Sequence, residues 1–102
     1  MTTDRFTADR ERIAGEMNKV NDRAWSAWEF TSLDCAIRAF EVLCEPRYEL
    51  GREDGGWYAA GPEDGKSGNH WRTGGRATGD HAADVCRLIC DVLDRDGKGP
   101  SR

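Results

Sequence analysis

The segment with the most obvious chemistry is residues 60–67, AGPEDGKS, which follow a relaxed phosphate-loop pattern with alanine in place of the first glycine. In such loops, backbone N–H groups and a helix N-terminus surround phosphate oxygens while the lysine reaches in. Here Glu63 and Asp64 would place two negative charges inside the cradle, and residues 68–71 do not begin a helix. We therefore interpret this segment as a hairpin turn.

A metal site is the second chemistry that the residue types allow. Cys86 and Cys90 lie four residues apart, and His70 and His81 are near them in the sequence. Structural zinc sites pair their ligands at about this spacing. Both cysteines, however, fall on or beside the apolar stripe of a predicted helix, where free cysteine packs as a small hydrophobe. We expect buried thiols and no cofactor, with zinc binding as the alternative.

Covalent catalysis would need an activated nucleophile. No cysteine lies at a polar, glycine-lined helix start, which is the setting that lowers a thiol pKa. With four cysteines and two histidines in a short chain, accidental Cys–His pairs are expected. We therefore predict no catalytic residues and a protein that binds rather than catalyses.

Acidic residues are concentrated in the middle of the chain. Residues 29–64 hold nine acids against three arginines, a local net charge of −6, whereas residues 65–79 hold three basic residues and no acid. An acidic region followed by a short basic loop forms a dipole that is suited to steering a partner.

Two acidic pairs, Glu53-Asp54 and Glu63-Asp64, could suggest a calcium loop, but neither has acids at the alternate positions that an EF-hand requires. Each pair is followed by glycine, which is typical of an ordinary turn. With Glu45 and Glu49, they are predicted to crowd one end of a hairpin with negative charge. Aromatic residues beside acids are typical anchors of protein interfaces. The predicted partner-binding residues are Glu45, Glu49, Glu53, Asp54, Trp57, Tyr58, Glu63 and Asp64.

Length and composition indicate the size and class of the domain that positions these residues. A chain of 102 residues predicts one domain, here over residues 1–96, with a disordered tail over residues 97–102. The net charge of −4 argues against direct nucleic-acid binding. No apolar run reaches the ~18 residues that cross a membrane, and no signal peptide is visible, so reduced thiols in a cytoplasm are expected.

Three helices follow from apolar periodicity and capping residues. The first is predicted over 7–24. The second starts after Thr31 or Ser32 and ends at Pro46, and the third starts after Thr78 or Asp80. Their predicted core stripes are, in turn, Phe6, Ile13, Met17, Val20 and Ala24; Leu33, Ala36, Ile37, Phe40, Leu43 and Cys44; and Ala82, Val85, Cys86, Ile89 and Leu93.

Between the second and third helices, two short strands are predicted over 47–50 and 57–60, with a turn over 62–68 and a third strand over 70–73 as an option. Three apolar helix stripes need one shared surface, which a small sheet covered by helices provides. The fold class is therefore predicted to be α+β, in the order α-α-β-β-(β)-α.

Three segments share their spacing with a known family. They are residues 31–43 (TSLDCAIRAFEVL), residues 55–59 (GGWYA), and residues 77–88 (ATGDHAADVCRL), which contain a Cys-Arg pair. These segments resemble the first helix, central strand and closing segment of the phage ABA-sandwich domain family, over about residues 28–94. The resemblance implies a phage or prophage origin and a helix–strand–helix sandwich, and it implies no catalytic residues.

Two functions are compatible with these observations. The first is a small phage-encoded inhibitor of a host defence complex such as a CRISPR effector, acting in the host cytoplasm like an anti-CRISPR protein. Its acidic patch would block a basic nucleic-acid-binding surface. The alternative is a phage accessory module that self-associates, for example as a homodimer, and whose charges serve only solubility.

Overall fold

The computed structural model of the chain describes residues 5–20, 23–45, 47–53, 56–63, 66–74 and 79–95. Within these residues, three α-helices and three strands follow one another in the order α-α-β-β-β-α, which confirms the predicted α+β class and the third strand. The elements are α1 (Arg5–Val20), a 3-10 helix (Ala27–Thr31), α2 (Leu33–Leu43), β1 (Glu49–Glu53), β2 (Gly56–Glu63), β3 (Lys66–Gly74) and α3 (His81–Arg95).

Helix α3 lies at the centre of the core because apolar side chains occupy most of its circumference. It contacts α1, α2, β2 and β3. All five residues of its predicted stripe are buried, and Leu88, Cys90 and Val92 are buried beside them. Asp80 caps its start, since the Ala83 N–H donates a 3.1 Å hydrogen bond to Asp80 Oδ1. This part of the prediction is confirmed, while Thr78 lies outside the described residues.

Helix α1 ends four residues earlier than predicted, at Val20. Ile13, Ala14 and Met17 are buried, but Val20 is 60 % exposed and therefore does not belong to the core stripe. Beyond the helix, Asn18 holds residue 25, since its Oδ1 accepts a 2.6 Å hydrogen bond from the Trp25 N–H. The predicted extension of the helix through Ala24 was wrong at residues 23–24, where this contact takes the place of helical hydrogen bonds, and residues 21–22 lie outside the described residues.

Helix α2 begins after Ser32, as predicted, and ends at Leu43. Ala36, Ala39 and Phe40 are buried on its inner face. At its end, the Cys44 N–H donates a 2.8 Å hydrogen bond to the Phe40 carbonyl oxygen. The predicted terminator, Pro46, lies outside the described residues. A 3-10 helix precedes α2 and places Phe30 in the core, where its ring stacks on Trp25 with 5.5 Å between centroids.

The sheet is antiparallel in the order β1-β2-β3, and its strands are longer than the sequence predicted. Pro62 pairs with His70 and Glu63 with Lys66, so strands occupy most of the predicted turn over 62–68. That turn was therefore wrong except at residues 64–65, which lie outside the described residues. Within the phosphate-loop-like segment, residues 60–63 belong to β2 and residues 66–67 to its antiparallel partner β3, so a strand and not a helix contains its lysine.

The two faces of the sheet differ in what covers them. Leu50 and Ala59 are paired on the face that packs on the core, as are Gly61 and Trp71. The Tyr48 ring is buried over Gly61. It forms a T-shaped contact with the Trp71 ring, with 5.7 Å between the ring centroids. Strand alternation places Glu49, Tyr58 and Arg72 on the opposite face.

No helix within the described part of the chain is both long enough and apolar enough to cross a membrane. One cluster of buried side chains joins α1, α2, α3 and the sheet. The predicted tail over residues 97–102 lies outside the described residues.

Candidate functional site

The register of the sheet divides the predicted acidic cluster between two ends. Glu49 pairs with Ala60 and Glu53 with Gly56, whereas Glu63 pairs with Lys66. Gly56 and Glu63 are the two ends of β2, about 23 Å apart at ~3.3 Å per residue. The prediction that these acids crowd one end of the hairpin was therefore wrong. Asp54 and Asp64 lie outside the described residues.

The two aromatic candidates in β2, Trp57 and Tyr58, also point in different directions because successive strand residues face opposite sides. The Trp57 indole N–H donates a 3.0 Å hydrogen bond to His81 Nδ1 on α3. The Tyr58 ring lies on the other face, with the Arg72 guanidinium 4.2 Å from its centroid. The two rings therefore cannot both lie at the centre of one partner-binding surface.

The exposed tryptophan is Trp28, which the sequence analysis did not include among the partner-binding residues. Its side chain is 69 % exposed, the largest value among the large apolar residues of the described ranges. The 3-10 helix that carries it is held by Glu29, which accepts a 2.9 Å hydrogen bond from the Ser26 N–H. This bond and the Arg23 guanidinium lower the pKa of Glu29, so its charge is retained.

A line of exposed charged side chains runs along α2, beginning at its N-terminal end, which follows the 3-10 helix that carries Trp28. Asp34, Arg38, Glu41 and Glu45 are all exposed and follow one another at steps of four, three and four residues. Side chains at this spacing share one side of a helix, and Glu45 follows the last residue of α2 by two. We call Asp34, Glu41 and Glu45 the acidic ridge.

A cavity of about 520 Å³ lies where β2 begins, β3 ends and α3 passes α1. Its lining combines apolar walls with four charged groups. The ten lining residues are Phe6, Asp9, Trp57, Thr73, Gly74, Ala83, Asp84, Arg87, Leu88 and Asp91. Volumes of this size are typical of sites for small ligands. None of the lining residues comes from α2.

Arg87 is the centre of an ion-pair network beside the cavity. Its Nη1 lies 3.0 Å from Asp9 Oδ1, and its Nη2 lies 3.1 Å from Asp91 Oδ1. The Thr73 hydroxyl donates a 2.9 Å hydrogen bond to the other carboxylate oxygen of Asp91. The network therefore joins α1, α3 and β3 through charge-assisted hydrogen bonds.

This cavity could not be predicted from the sequence, because its charged residues come from distant positions. Asp9 and Arg87 are separated by 78 residues. One signal was available: Asp84, Arg87 and Asp91 recur at steps of three and four, which places a charged line beside the apolar stripe of α3. A charged residue so close to a helix's buried face usually has a partner on another element.

The cysteine pair of α3 is buried, as predicted. Cys86 and Cys90 are both 0 % exposed, and all four cysteines of the chain are free thiols. Burial is the main cause that raises the pKa of Cys86 from 9.0 to about 12, and burial raises that of Cys90 as well. Within the described residues, no group of three or more His, Cys, Asp or Glu side chains is arranged to hold a metal ion.

The raised pKa of Cys86 predicts a loss of stability at alkaline pH. Below pH 9 the thiol is protonated in both states, whereas between pH 9 and 12 only the unfolded chain releases the proton. One such thiol lowers the free energy of unfolding by roughly 1.4 kcal/mol between pH 8 and 10. Urea unfolding at both pH values should show a smaller decrease for Cys86→Ala than for the unmodified protein. An equal decrease would contradict the assignment.

No protein-family model matches the chain, and no curated protein and no solved structure matches it. The resemblance to the phage ABA-sandwich domain family therefore stays a prediction.

Proposed function

We propose that this chain is a binding protein that docks on a basic surface of a protein partner and blocks it. The observation that carries this proposal is the 69 % exposed Trp28 in the 3-10 helix that precedes α2, the helix whose exposed side bears the acidic ridge. An exposed tryptophan gives a partner a large apolar anchor, and exposed carboxylates on the helix that follows select basic partners. Such a surface is suited to an inhibitor of a host defence complex, of which a CRISPR effector is one example.

The carboxylates of the acidic ridge would compete with nucleic acid for a basic groove. A groove that binds a phosphate backbone is lined by lysine and arginine, and carboxylates at matching positions compete for the same cations. The ridge carries the carboxylates of Asp34, Glu41 and Glu45 against the guanidinium of Arg38, a net charge of −2. Because these charges are exposed, the association rate should fall as the salt concentration rises.

The proposal can be tested with two variants of equal charge. One reverses the ridge (Asp34→Lys, Glu41→Lys, Glu45→Lys), and the other reverses Glu49, Glu53 and Glu63 in the strands. Each variant and Trp28→Ala would be titrated against a purified effector complex with labelled target DNA. We expect the unmodified protein to displace the DNA, and the ridge reversal and Trp28→Ala to require at least tenfold more protein.

The strand reversal is the control, because it changes the net charge by the same amount at other positions. We expect it to displace DNA nearly as well as the unmodified protein. Equal losses in both reversals would assign the effect to net charge and contradict a defined surface. A failure of all proteins to displace DNA would remove this effector as the partner.

A second candidate, self-association, is favoured by one observation on the sheet. Strand β3 is nine residues long and pairs only with β2 within the described residues, so its other edge is available for strand addition. A homodimer formed in this way would have twice the monomer mass in sedimentation equilibrium. Asn69→Pro should then abolish the dimer without changing DNA displacement.

A further inference from the structure

Most aromatic rings of this protein are covered by its own arginines. The chain has nine aromatic residues, and all nine lie within the described residues. Six of the rings have a guanidinium between 3.8 and 5.5 Å from their centroids, in the pairs Arg10–Phe6, Arg23–Trp25, Arg47–Tyr48, Arg52–Trp57, Arg72–Tyr58 and Arg95–Trp71. A guanidinium is suited to this position because it is planar, weakly hydrated and attracted to the face of a ring.

The other three rings have no such guanidinium among the described residues. Phe30 and Phe40 are 0 % exposed and belong to the core, where a charged group would not fit. The third ring is that of Trp28, whose side chain is 69 % exposed. Trp28 is therefore an accessible ring that no described arginine of the chain covers, and most of its surface is available to another molecule.

The arginine nearest to Trp28 in the sequence is engaged elsewhere. The Arg23 guanidinium lies 3.8 Å from the centroid of the Trp25 ring and pairs with the carboxylate of Glu29. Both contacts hold Arg23 on the chain's own groups. A guanidinium for Trp28 would therefore come from a second molecule.

The backbone that carries Trp28 is fixed by hydrogen bonds on both sides. The Glu29 N–H donates to the Ser26 carbonyl at 3.0 Å, and the Ser32 N–H donates to the Glu29 carbonyl at 3.1 Å. The Thr31 hydroxyl donates a 2.8 Å hydrogen bond to the carbonyl of Trp28 itself. Binding to an anchor that is already held in place costs less conformational entropy.

The charges that follow Trp28 favour a cationic group over a nucleotide. A base of single-stranded nucleic acid could also stack on an exposed indole, but it would carry its phosphates with it. Helix α2 begins five residues after Trp28, and the acidic ridge on its exposed side repels phosphate and attracts basic side chains. Of the two basic side chains, arginine stacks better because lysine carries a compact, strongly hydrated charge.

We propose that Trp28 binds an arginine side chain of the protein partner, with the guanidinium stacked on the indole ring. Other basic side chains of the partner face the acidic ridge. This inference rests on the docking function proposed above and specifies what the partner presents to Trp28, which is an arginine and not an apolar pocket.

The test uses three peptides of equal length, hexa-arginine, hexalysine and hexacitrulline. Citrulline replaces the guanidinium by a neutral urea group of nearly the same shape. Each peptide is titrated into ¹⁵N-labelled protein while the indole N–H signals of the four tryptophans are followed, and the signal absent from Trp28→Tyr identifies Trp28. We expect hexa-arginine to shift the Trp28 signal in a saturable manner, hexalysine to bind at least threefold more weakly, and hexacitrulline at least tenfold more weakly.

Two substitutions separate the face of the ring from its apolar surface. Trp28→Tyr keeps an aromatic face, whereas Trp28→Leu keeps only apolar surface. By calorimetry, we expect hexa-arginine to bind Trp28→Tyr within about twofold of the unmodified protein and Trp28→Leu about fivefold more weakly. Val20→Ala is the control, because Val20 is another exposed apolar side chain, at 60 %, and its loss should leave the affinity unchanged. The three remaining indole signals check that both Trp28 variants fold.

Three results would overturn the proposal. They are equal binding of hexa-arginine and hexacitrulline, no shift of the Trp28 signal with hexa-arginine, and equal affinities of Trp28→Leu and Trp28→Tyr. The DNA-displacement assay keeps this outcome apart from that of the docking function. Displacement that Trp28→Leu performs as well as Trp28→Tyr would support docking and overturn the arginine contact. Arginine-selective binding at Trp28 without displacement would support the arginine contact and remove that effector as the partner.

Discussion

Replacing Arg87 by methionine is expected to lower the free energy of unfolding by about 3 kcal/mol or more. The methionine keeps much of the side-chain volume but removes the guanidinium that lies 3.0 Å from Asp9 and 3.1 Å from Asp91. Asp9 is only 7 % exposed, so hydration of its carboxylate cannot replace the favourable interaction energy that is lost with the guanidinium. Removing one partner of a buried ion pair is costly for this reason.

Urea unfolding followed by tryptophan fluorescence would measure this loss. Arg38→Met is the matched control, because Arg38 is exposed on α2 and surface substitutions change stability by less than about 0.5 kcal/mol. Adding Asp9→Asn to Arg87→Met should restore part of the loss by removing the buried charge. If Arg87→Met and Arg38→Met were equally stable, the network would have no part in holding α1 on α3.

Gly61→Ala is the second substitution for which we expect a large effect. A Cβ atom at this position would overlap the Cδ1 and Cε1 atoms of Tyr48 and would lie 3.1 Å from the Arg47 carbonyl oxygen. The Tyr48 ring is buried at 2 % exposure, with Trp71 against its edge, so it has no free direction in which to move. Overpacking of a core costs about 1–3 kcal/mol, and we expect the upper part of that range.

Gly51→Ala is the control because it has a similar overlap but a different neighbour. Its Cβ would meet the Cζ and Oη atoms of Tyr58, the far end of a half-buried side chain that can rotate away. We expect a loss below about 1 kcal/mol, measured by thermal unfolding of both variants side by side. A larger loss for Gly51→Ala than for Gly61→Ala would contradict this account of the two faces of the sheet.

Helices α2 and α3 could be predicted from the sequence because the information that forms them is local. Apolar residues at steps of three and four, with Ser32 and Asp80 before them, specify both the helix and its buried side. The same reasoning failed at the end of α1. The apolar pattern continues to Val20 and Ala24, but the Asn18 side chain binds the Trp25 backbone, and residues 23–26 are not helical.

The strands were harder to predict, because pairing with other strands decides their length. Pro62 and Glu63 have low intrinsic preference for strands, yet they pair with His70 and Lys66. Register also decides which end of the sheet each acid occupies, and that information is absent from local spacing. The predicted acidic surface was divided between two ends for this reason.

Composition and local sequence patterns specify the α+β class, the order of the elements, the buried thiols of α3 and the acidic character of the middle of the chain. These properties depend on composition and on residues within a few positions of one another. Tertiary structure alone decided that Trp28 is exposed while Trp57 faces α3, and that Asp9 meets Arg87 at the edge of a cavity. Those contacts join residues up to 78 positions apart, and only the packing of helices on the sheet brings them together.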